Sequence, residues 1–174
     1  MSGYRFCPKC SSSLVAQLLE NRERLVCPAC RFVLYINPRP TTCAVIVDGE
    51  RVMMVRRAVA PRLGFWDLPG GFLEVGEHPA AGLQREVREE TNLEIEVVEL
   101  LGFFLDAYPE PGETTLNVYY IARVTGGQPQ PGSDVAAIEW FHRDTLPQWE
   151  EIAFQNNRDA LAAWLAGKAQ VVRP

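Results

Sequence analysis

Apolar and polar residues alternate along this chain with two different periods, and each period predicts a different kind of element. Residues 42–47 and 52–55 alternate on either side of an Asp-Gly-Glu turn, which predicts a β-hairpin. Further strands are predicted at residues 95–105, 115–124 and 137–141, and a Gly- and Pro-rich loop at residues 126–133. A helix is predicted from about residue 79 to residue 91, and residues 154–165 have apolar positions at helical spacing. The pattern therefore indicates an α+β domain.

The amino end has a different character from the rest of the chain. Residues 1–35 are polar and rich in turns, and they are too few to build a core of their own. Pro38 and Pro40 follow and interrupt the pattern. We therefore expect a small unit at residues 1–36 and a larger domain at residues 37–174.

Composition narrows the class of protein. Hydrophobic residues make up 47% and charged residues 22% of the 174 residues, as in ordinary globular proteins. The sequence has no apolar run of about 18 residues and no export signal at its start, so we expect a cytoplasmic protein that does not enter a membrane. The net charge of −5 disfavours non-specific nucleic-acid binding. An anionic ligand would need a cation to mediate its contact.

Four cysteines form two close pairs near the amino end. Cys7, Cys10, Cys27 and Cys30 follow the spacing C-x2-C-x16-C-x2-C. Two tight turns of this kind direct four thiolates at one point, which suits a structural, tetrahedral Zn²⁺. The metal would replace the missing core and contribute on the order of 10 kcal/mol to folding. The alternatives are two disulfides or four unrelated buried thiols.

Two further features concern the cysteines. Zinc knuckles often have Gly directly after the second Cys of each pair, whereas this chain has Ser11 and Arg31 there. Cys43 lies in an apolar strand pattern and is interpreted as a small buried hydrophobic residue.

Three carboxylates share one face of the predicted helix. Glu86, Glu89 and Glu90 are at positions i, i+3 and i+4, and Arg85 is expected to project to another face, as is Arg88. Such like charges repel one another on a solvated helix. The plain alternative is a solvated acidic face, and the sequence before the helix decides against it.

The sequence from Gly71 to Leu93 contains an extended motif. Gly71 is followed after five residues by Glu77 and after seven more by Arg85-Glu86-Val87-Arg88-Glu89-Glu90-Thr91-Asn92-Leu93. This resembles the Nudix signature, G-x5-E-x7-R-E-U-x-E-E-x-G-U, where U is aliphatic. The departure is Asn92 in place of Gly, at a left-handed position that Asn tolerates. The resemblance implies an α/β/α sandwich with a mixed sheet, preceded by the zinc ribbon.

The same resemblance implies a metal-dependent hydrolase of nucleoside diphosphates linked to another moiety. In that family the motif holds Mg²⁺ or Mn²⁺ against a diphosphate. Carried over, the metal ligands would be the carboxylates of Glu86, Glu89 and Glu90 and the carbonyl of Gly71. Arg85 would pair with Glu77 and orient the acids.

The general base stays open among several residues. Glu90 lies in the motif, and Asp134 lies in a later loop where some relatives have a glutamate. Glu139 is a weaker third candidate, because strand alternation would turn it away. His78 and His142 are expected in capping or surface roles.

The substrate is expected to be a small nucleotide. A Nudix motif with a four-cysteine ribbon resembles both the NADH diphosphatases and a sister group acting on ADP-ribose or FAD. Residues 100–112 lack the S-Q-P-W-type motif of the NADH enzymes, and Pro109 resembles the ADP-ribose-cleaving members. NADH and nucleoside triphosphates are the alternative substrates, and family resemblance implies a homodimer.

Substrate contacts are expected from Arg57, through phosphate or ribose, and from Trp66, through stacking on a ring. The aromatic residues Phe65, Phe104 and Tyr108 are further stacking candidates, although such residues are more often core. A different class is a Nudix domain that only senses a ligand. The intact acids argue against a sensor, because a sensor would be free to lose them.

Overall fold

Two β-sheets and two helices make up the computed structural model, which describes residues 3–107 and 114–167. The amino-terminal sheet contains three strands: β1 (Val15–Leu19), β2 (Arg22–Val26) and β3 (Val33–Leu34). The larger sheet contains β4 (Arg39–Asp48), β5 (Arg51–Arg57), β6 (Trp66–Asp67), β7 (Gly70–Phe72), β8 (Leu93–Ala107), β9 (Thr114–Gly127) and β10 (Val135–His142). The helices are α1 (Pro79–Thr91) and α2 (Gln155–Leu165), with a 3-10 turn at Trp149–Glu151.

The larger sheet is mixed. Its strand order is β10-β5-β4-β9-β8, with β6 beside β5 and β7 beside β4. Strands β4 and β9 run parallel, whereas the other pairs run antiparallel. The predicted hairpin is confirmed as β4 and β5, joined by a two-residue turn in which Gly49 has a φ of 60°.

The two helices pack on opposite faces of this sheet. Strand β4 alternates, so that Val45 faces the cluster containing Leu161 of α2, and Ile46 faces the cluster containing Leu83 and Val87 of α1. All five side chains are fully buried. This confirms the α/β/α sandwich with a mixed sheet that the family resemblance implied.

Helix α1 is capped at both ends by residues that the sequence singled out. The N-cap His78 accepts a hydrogen bond at Nδ1 from the Ala80 amide, and Pro79 begins the helix. At the other end Asn92 has the left-handed φ of 58°, and its amide donates to the Arg88 carbonyl. The expected capping role of His78 and the expected left-handed backbone at Asn92 are both confirmed.

The predicted elements are present with shifted ends, and the short strands β6 and β7 lie where a loop was predicted. Strands β8 and β9 are longer than predicted, and β9 includes residues 126–127 of the predicted loop. Helix α2 begins at Gln155, with Phe154 as its cap. The three strands of the amino-terminal sheet were missed, because their alternation is short. Cys43 is buried on β4, as expected.

Candidate active site and metal centres

The four amino-terminal cysteines converge on one point. Their sulfur atoms all lie within 4.8 Å of one another. The Cys7–Cys30 and Cys10–Cys27 sulfur pairs are 3.6 and 3.5 Å apart. These separations exceed the roughly 2.05 Å of a disulfide bond, and they approach the roughly 3.8 Å between ligands on a zinc ion with 2.3 Å bonds. The donor set therefore fits a tetrahedral zinc and excludes the two disulfides.

The two cysteine turns have nearly the same backbone geometry. The carbonyl of Cys7 accepts from the Ser11 amide at 2.8 Å, and the carbonyl of Cys27 accepts from the Arg31 amide at 2.9 Å. Ser11 and Arg31 have φ values of 61° and 59°, so both adopt the left-handed backbone where glycine is usual. The knuckle geometry is therefore present without glycine at either turn.

A cavity of about 320 Å³ lies beside the motif that runs from Gly71 to Leu93. Helix α1 supplies Glu86 and Glu90 to its wall, and β7 supplies Gly70 and Gly71. Other parts of the sheet and α2 add the remaining lining residues that bear on its chemistry, namely Thr41, Arg57, Asp67, Asp106, Thr115, Asn117, Asp134, Phe154, Asn156 and Asn157. Acidic groups predominate, so an anionic ligand here requires a cation.

Glu90 is the most enclosed carboxylate of the motif. One of its oxygens accepts a hydrogen bond from the Gly70 amide at 3.0 Å. Burial raises its pKa to about 8, and the negative charges of Asp67 and Glu86 act in the same direction. Protonation or a nearby cation would therefore stabilise the Glu90 carboxylate.

Glu86 lies against the backbone of Gly71. A Cβ atom added to Gly71 would lie only 2.6 Å from the Glu86 carboxylate, so any larger residue would displace that carboxylate. Burial also raises the pKa of Glu86, with opposing contributions from Arg85. This contact brings the Gly71 backbone and the Glu86 carboxylate together on one wall.

Arg85 joins the acids of the motif. It donates two hydrogen bonds to Glu77, at 2.8 and 2.9 Å, and these lower the pKa of Glu77 to about 2. The pairing of Arg85 with Glu77 that the resemblance implied is present. The prediction that Arg85 projects to another face is wrong, because its guanidinium also contacts Glu86 at 2.8 Å and Glu89 at 3.3 Å. Both lie within the reach of an arginine on the same helix.

The three motif glutamates are not equivalent. The Glu89 side chain is 60% exposed and lies outside the cavity lining, whereas Glu86 and Glu90 line it. The donor set of these two carboxylates and the Gly71 carbonyl is made of hard oxygens, which fits Mg²⁺ or Mn²⁺. A cation would also offset the cost of burying these two negative charges and the repulsion between them.

The candidates for the general base differ in whether they line the cavity. Asp134 lines the cavity and lies in the turn before β10, where its carbonyl accepts from the Ala58 amide at 2.8 Å. Glu139 lies on β10, exposed and outside the cavity lining. His142 contacts Asp144 at the exposed end of β10. The structure thus brings Asp134, together with Glu90, to the cavity.

Arg57 lines the cavity but already has protein partners. It donates to Asp67 at 2.7 Å and to the Pro61 carbonyl at 2.8 Å, and it lies over the Phe154 ring at 5.2 Å. It is therefore not the solvated strand end that was the alternative. Trp66 packs edge to face against Phe141, with centroids 4.9 Å apart, and lies outside the cavity lining.

The other aromatic candidates also differ in position. Phe104 is half-buried and packs edge to face on Tyr119, against the core. Tyr108 and Pro109 lie outside the described residues. For Trp66 and Phe104 the structure supports the packing alternative.

The cavity wall also contains a buried polar network that the sequence pattern did not indicate. Asp67 accepts from Arg57, from the Leu68 amide and from Asn157, and Tyr119 donates to Asn157. Burial raises the pKa of Asp67, while Arg57 opposes the shift. A local signal was present at Asp67, a charged residue between the apolar residues Trp66 and Leu68.

Residues 37–165 match the family described as the NUDIX domain, and residues 5–36 match the one described as Nudix N-terminal. An "ADP-ribose pyrophosphatase" of Methanocaldococcus jannaschii is 30% identical over 74% of this chain and 74% of its own length. An "NAD-capped RNA hydrolase NudC" of Stutzerimonas stutzeri is 30% identical over 84% of this chain, which spans 51% of that protein.

The solved structures give the same result. A NUDIX hydrolase from Nitrosomonas europaea superposes with a TM-score of 0.80 at 26% identity, covering 97% of this chain and 94% of the other. Neither helix of the described residues has the length and apolar character needed to cross a membrane. With the motif, the fold and the four-cysteine unit all present, the chain belongs to the Nudix hydrolase family and has its amino-terminal zinc-ribbon unit.

Proposed function

We propose that this chain hydrolyses the diphosphate of a nucleoside diphosphate linked to another moiety, with ADP-ribose or FAD as substrate and AMP as a product. One observation carries the proposal: Glu86, Glu90 and Gly71 share one wall of the cavity beside α1. The relative named ADP-ribose pyrophosphatase, which this chain matches over most of both lengths, supports ADP-ribose.

The proposed metal ligands are the carbonyl of Gly71 and the carboxylates of Glu86, Glu89 and Glu90. When bound, Mg²⁺ or Mn²⁺ supplies charge that offsets the diphosphate and activates water toward phosphorus. Arg85 holds Glu86 in place through a 2.8 Å hydrogen bond, and Glu77 holds Arg85. Glu89 lies at the exposed end of this set, 3.3 Å from the Arg85 guanidinium.

Either Glu90 or Asp134 accepts the proton from the attacking water. Glu90 lies in the cavity wall, where its carboxylate accepts from the Gly70 amide, whereas Asp134 is exposed and accepts a hydrogen bond from Ser133 at 2.9 Å. Asp134→Asn and Glu90→Gln separate the two assignments. The base variant loses the limb of the pH–rate profile that reports ionisation of the base, and the other variant keeps it.

A dinucleotide of the NAD type is the second candidate substrate. The relatives named NudC favour it, since they match more than four fifths of this chain. The chain spans only about half the length of those relatives. Steady-state kcat/KM for ADP-ribose, FAD and NADH, measured side by side, ranks these substrates.

The experiment that tests the proposal is a turnover assay on a nucleotide panel. The panel contains ADP-ribose, FAD, NADH and nucleoside triphosphates, each with Mg²⁺ and with Mn²⁺, and products are identified by mass. We expect AMP from ADP-ribose or FAD. Cleavage of no member of the panel with either metal would contradict the proposal and favour a ligand sensor. The homodimer also belongs to this proposal, and the molar mass in solution tests it.

A further inference from the structure

The cavity has an uncharged polar wall in addition to its carboxylates. Thr41, Thr115 and Asn117 belong to it and satisfy one another: Thr41 donates to Asn117, and the Asn117 amide donates to Thr115 at 3.0 Å. Asn117 also donates to the Phe104 carbonyl at 2.9 Å. These three side chains therefore already have hydrogen-bond partners within the protein.

Asn156 is the exception on this wall. It lies in the first turn of α2, lines the cavity and is only 6% exposed. Its side-chain oxygen Oδ1 is buried and accepts no hydrogen bond from any residue that the structure describes. A buried acceptor without a donor lowers stability, so such a group calls for a reason.

The position of Asn156 is fixed independently of its side chain. Its backbone amide donates to Asp106 Oδ2 at 3.3 Å, which anchors the start of α2 to the end of β8. The next residue, Asn157, has the opposite character, because both ends of its carboxamide are bonded, to Asp67 and to Tyr119. The side chain of Asn157 therefore stabilises the fold. The Oδ1 atom of Asn156, in contrast, has no donor among the described residues and could accept a hydrogen bond from a ligand.

We infer that Asn156 is a specificity residue whose Oδ1 accepts a hydrogen bond from the nucleoside half of the substrate. The donor is an N–H or O–H group, which a nucleoside presents as the amino group of its base or as a ribose hydroxyl. An uncharged acceptor suits that half of the molecule, because the diphosphate needs the cation held at Glu86 and Glu90. The inference rests on the proposed function in that it takes the ligand to be a nucleotide.

Asn156→Leu is the test variant, because leucine has the same branched arrangement of side-chain heavy atoms and no hydrogen-bonding group. The backbone bond to Asp106 remains, so we expect a thermal unfolding midpoint equal to or above that of the wild type. We expect KM for ADP-ribose to rise about tenfold with little change in kcat. Asn157→Leu is the matched comparison, and it lowers the unfolding midpoint because it breaks the bonds to Asp67 and Tyr119.

Substrate analogues identify the donor. If it is the base amino group, the wild type favours ADP-ribose over the compound with hypoxanthine, in which a carbonyl replaces that amino group. Asn156→Leu then loses the preference. If the donor is a ribose hydroxyl, the same loss occurs with the corresponding deoxy compound instead.

Calorimetry with AMP and Mg²⁺ separates this inference from the proposed function. Wild-type protein that binds AMP but cleaves no substrate would defeat the proposed hydrolysis, and weaker AMP binding by Asn156→Leu would still support the inference. Equal affinity of the two proteins for AMP and each analogue would overturn it. So would a lower unfolding midpoint with unchanged affinity, or a wild type that binds no nucleotide.

Discussion

Arg85 contacts three carboxylates of the motif, and its strongest effect is on Glu77. The two hydrogen bonds that it donates lower the pKa of Glu77 from 4.5 to about 2. A carboxyl group whose pKa is lower in the folded state stabilises the fold above its unfolded pKa. That stability is lost as the pH falls from about 4.5 toward 2.

The first prediction follows from this pair. Between pH 2 and 4.5 the free energy of unfolding of the wild type should rise with pH, and Glu77→Gln should make that rise less steep. Urea unfolding at several pH values measures both slopes. Glu74→Gln removes a carboxylate from the same segment and serves as the control. Equal slopes for wild type and Glu77→Gln would contradict the prediction.

Gly71 gives a second prediction at the residue scale. In Gly71→Ala the new Cβ displaces the Glu86 carboxylate, which would lie 2.6 Å away. We expect hydrolysis to fall by about 10- to 100-fold, since the displaced group is a proposed ligand, while the unfolding midpoint changes little. Gly76→Ala is the control, because its Cβ meets nothing within 4 Å although φ is 80°. Unchanged hydrolysis by Gly71→Ala would count against the Glu86 assignment.

At the scale of elements, α1 was the most predictable part of the chain. Its length follows from Pro79 at the start and from Asn92 after its end, and its buried face follows from Leu83 and Val87 at i, i+4 spacing. These signals are local, so one segment of sequence contains them. The polar network at Asp67 was not predictable, because its partner Asn157 lies 90 residues away.

Two residues show why the environment of a side chain escaped prediction. Trp66 lies on a two-residue strand, and nothing near it in the sequence indicates that Phe141 covers its ring. Asn156 follows an apolar stretch, yet only the packing of α2 against β8 shows that its side chain is buried. In both cases residues distant in sequence decide the environment.

The third prediction concerns the end of α1. Asn92 has a φ of 58°, and its side chain donates to the Gln128 carbonyl at 3.0 Å. Asn92→Ala should lower the free energy of unfolding by about 1 kcal/mol, because alanine is strained at this φ and loses the bond. Asn92→Gly should cost less, since glycine removes the strain. Chemical denaturation measures both, and equal stability of Asn92→Ala and wild type would contradict the strain.

At the scale of the whole molecule, two sets of potential metal ligands lie beside different sheets. The four cysteines converge next to the small three-stranded sheet, and hard oxygen donors line the cavity beside the larger sheet. The fourth prediction is that Cys7→Ser lowers zinc from one ion per chain toward none and destabilises residues 1–36. Elemental analysis measures the zinc, with Cys43→Ser as a control outside the cluster. Full zinc content in Cys7→Ser would contradict the ribbon.

The central claim is that Glu90 and its neighbours hold a cation that drives hydrolysis of a nucleoside diphosphate derivative. The most direct measurement is the rate of AMP release from ADP-ribose as Mg²⁺ is titrated, for wild type and for Glu90→Gln. The wild type should require Mg²⁺, and the folded variant should be slower by orders of magnitude. Release of AMP by wild type without a divalent cation, or near-normal rates in Glu90→Gln, would contradict the account.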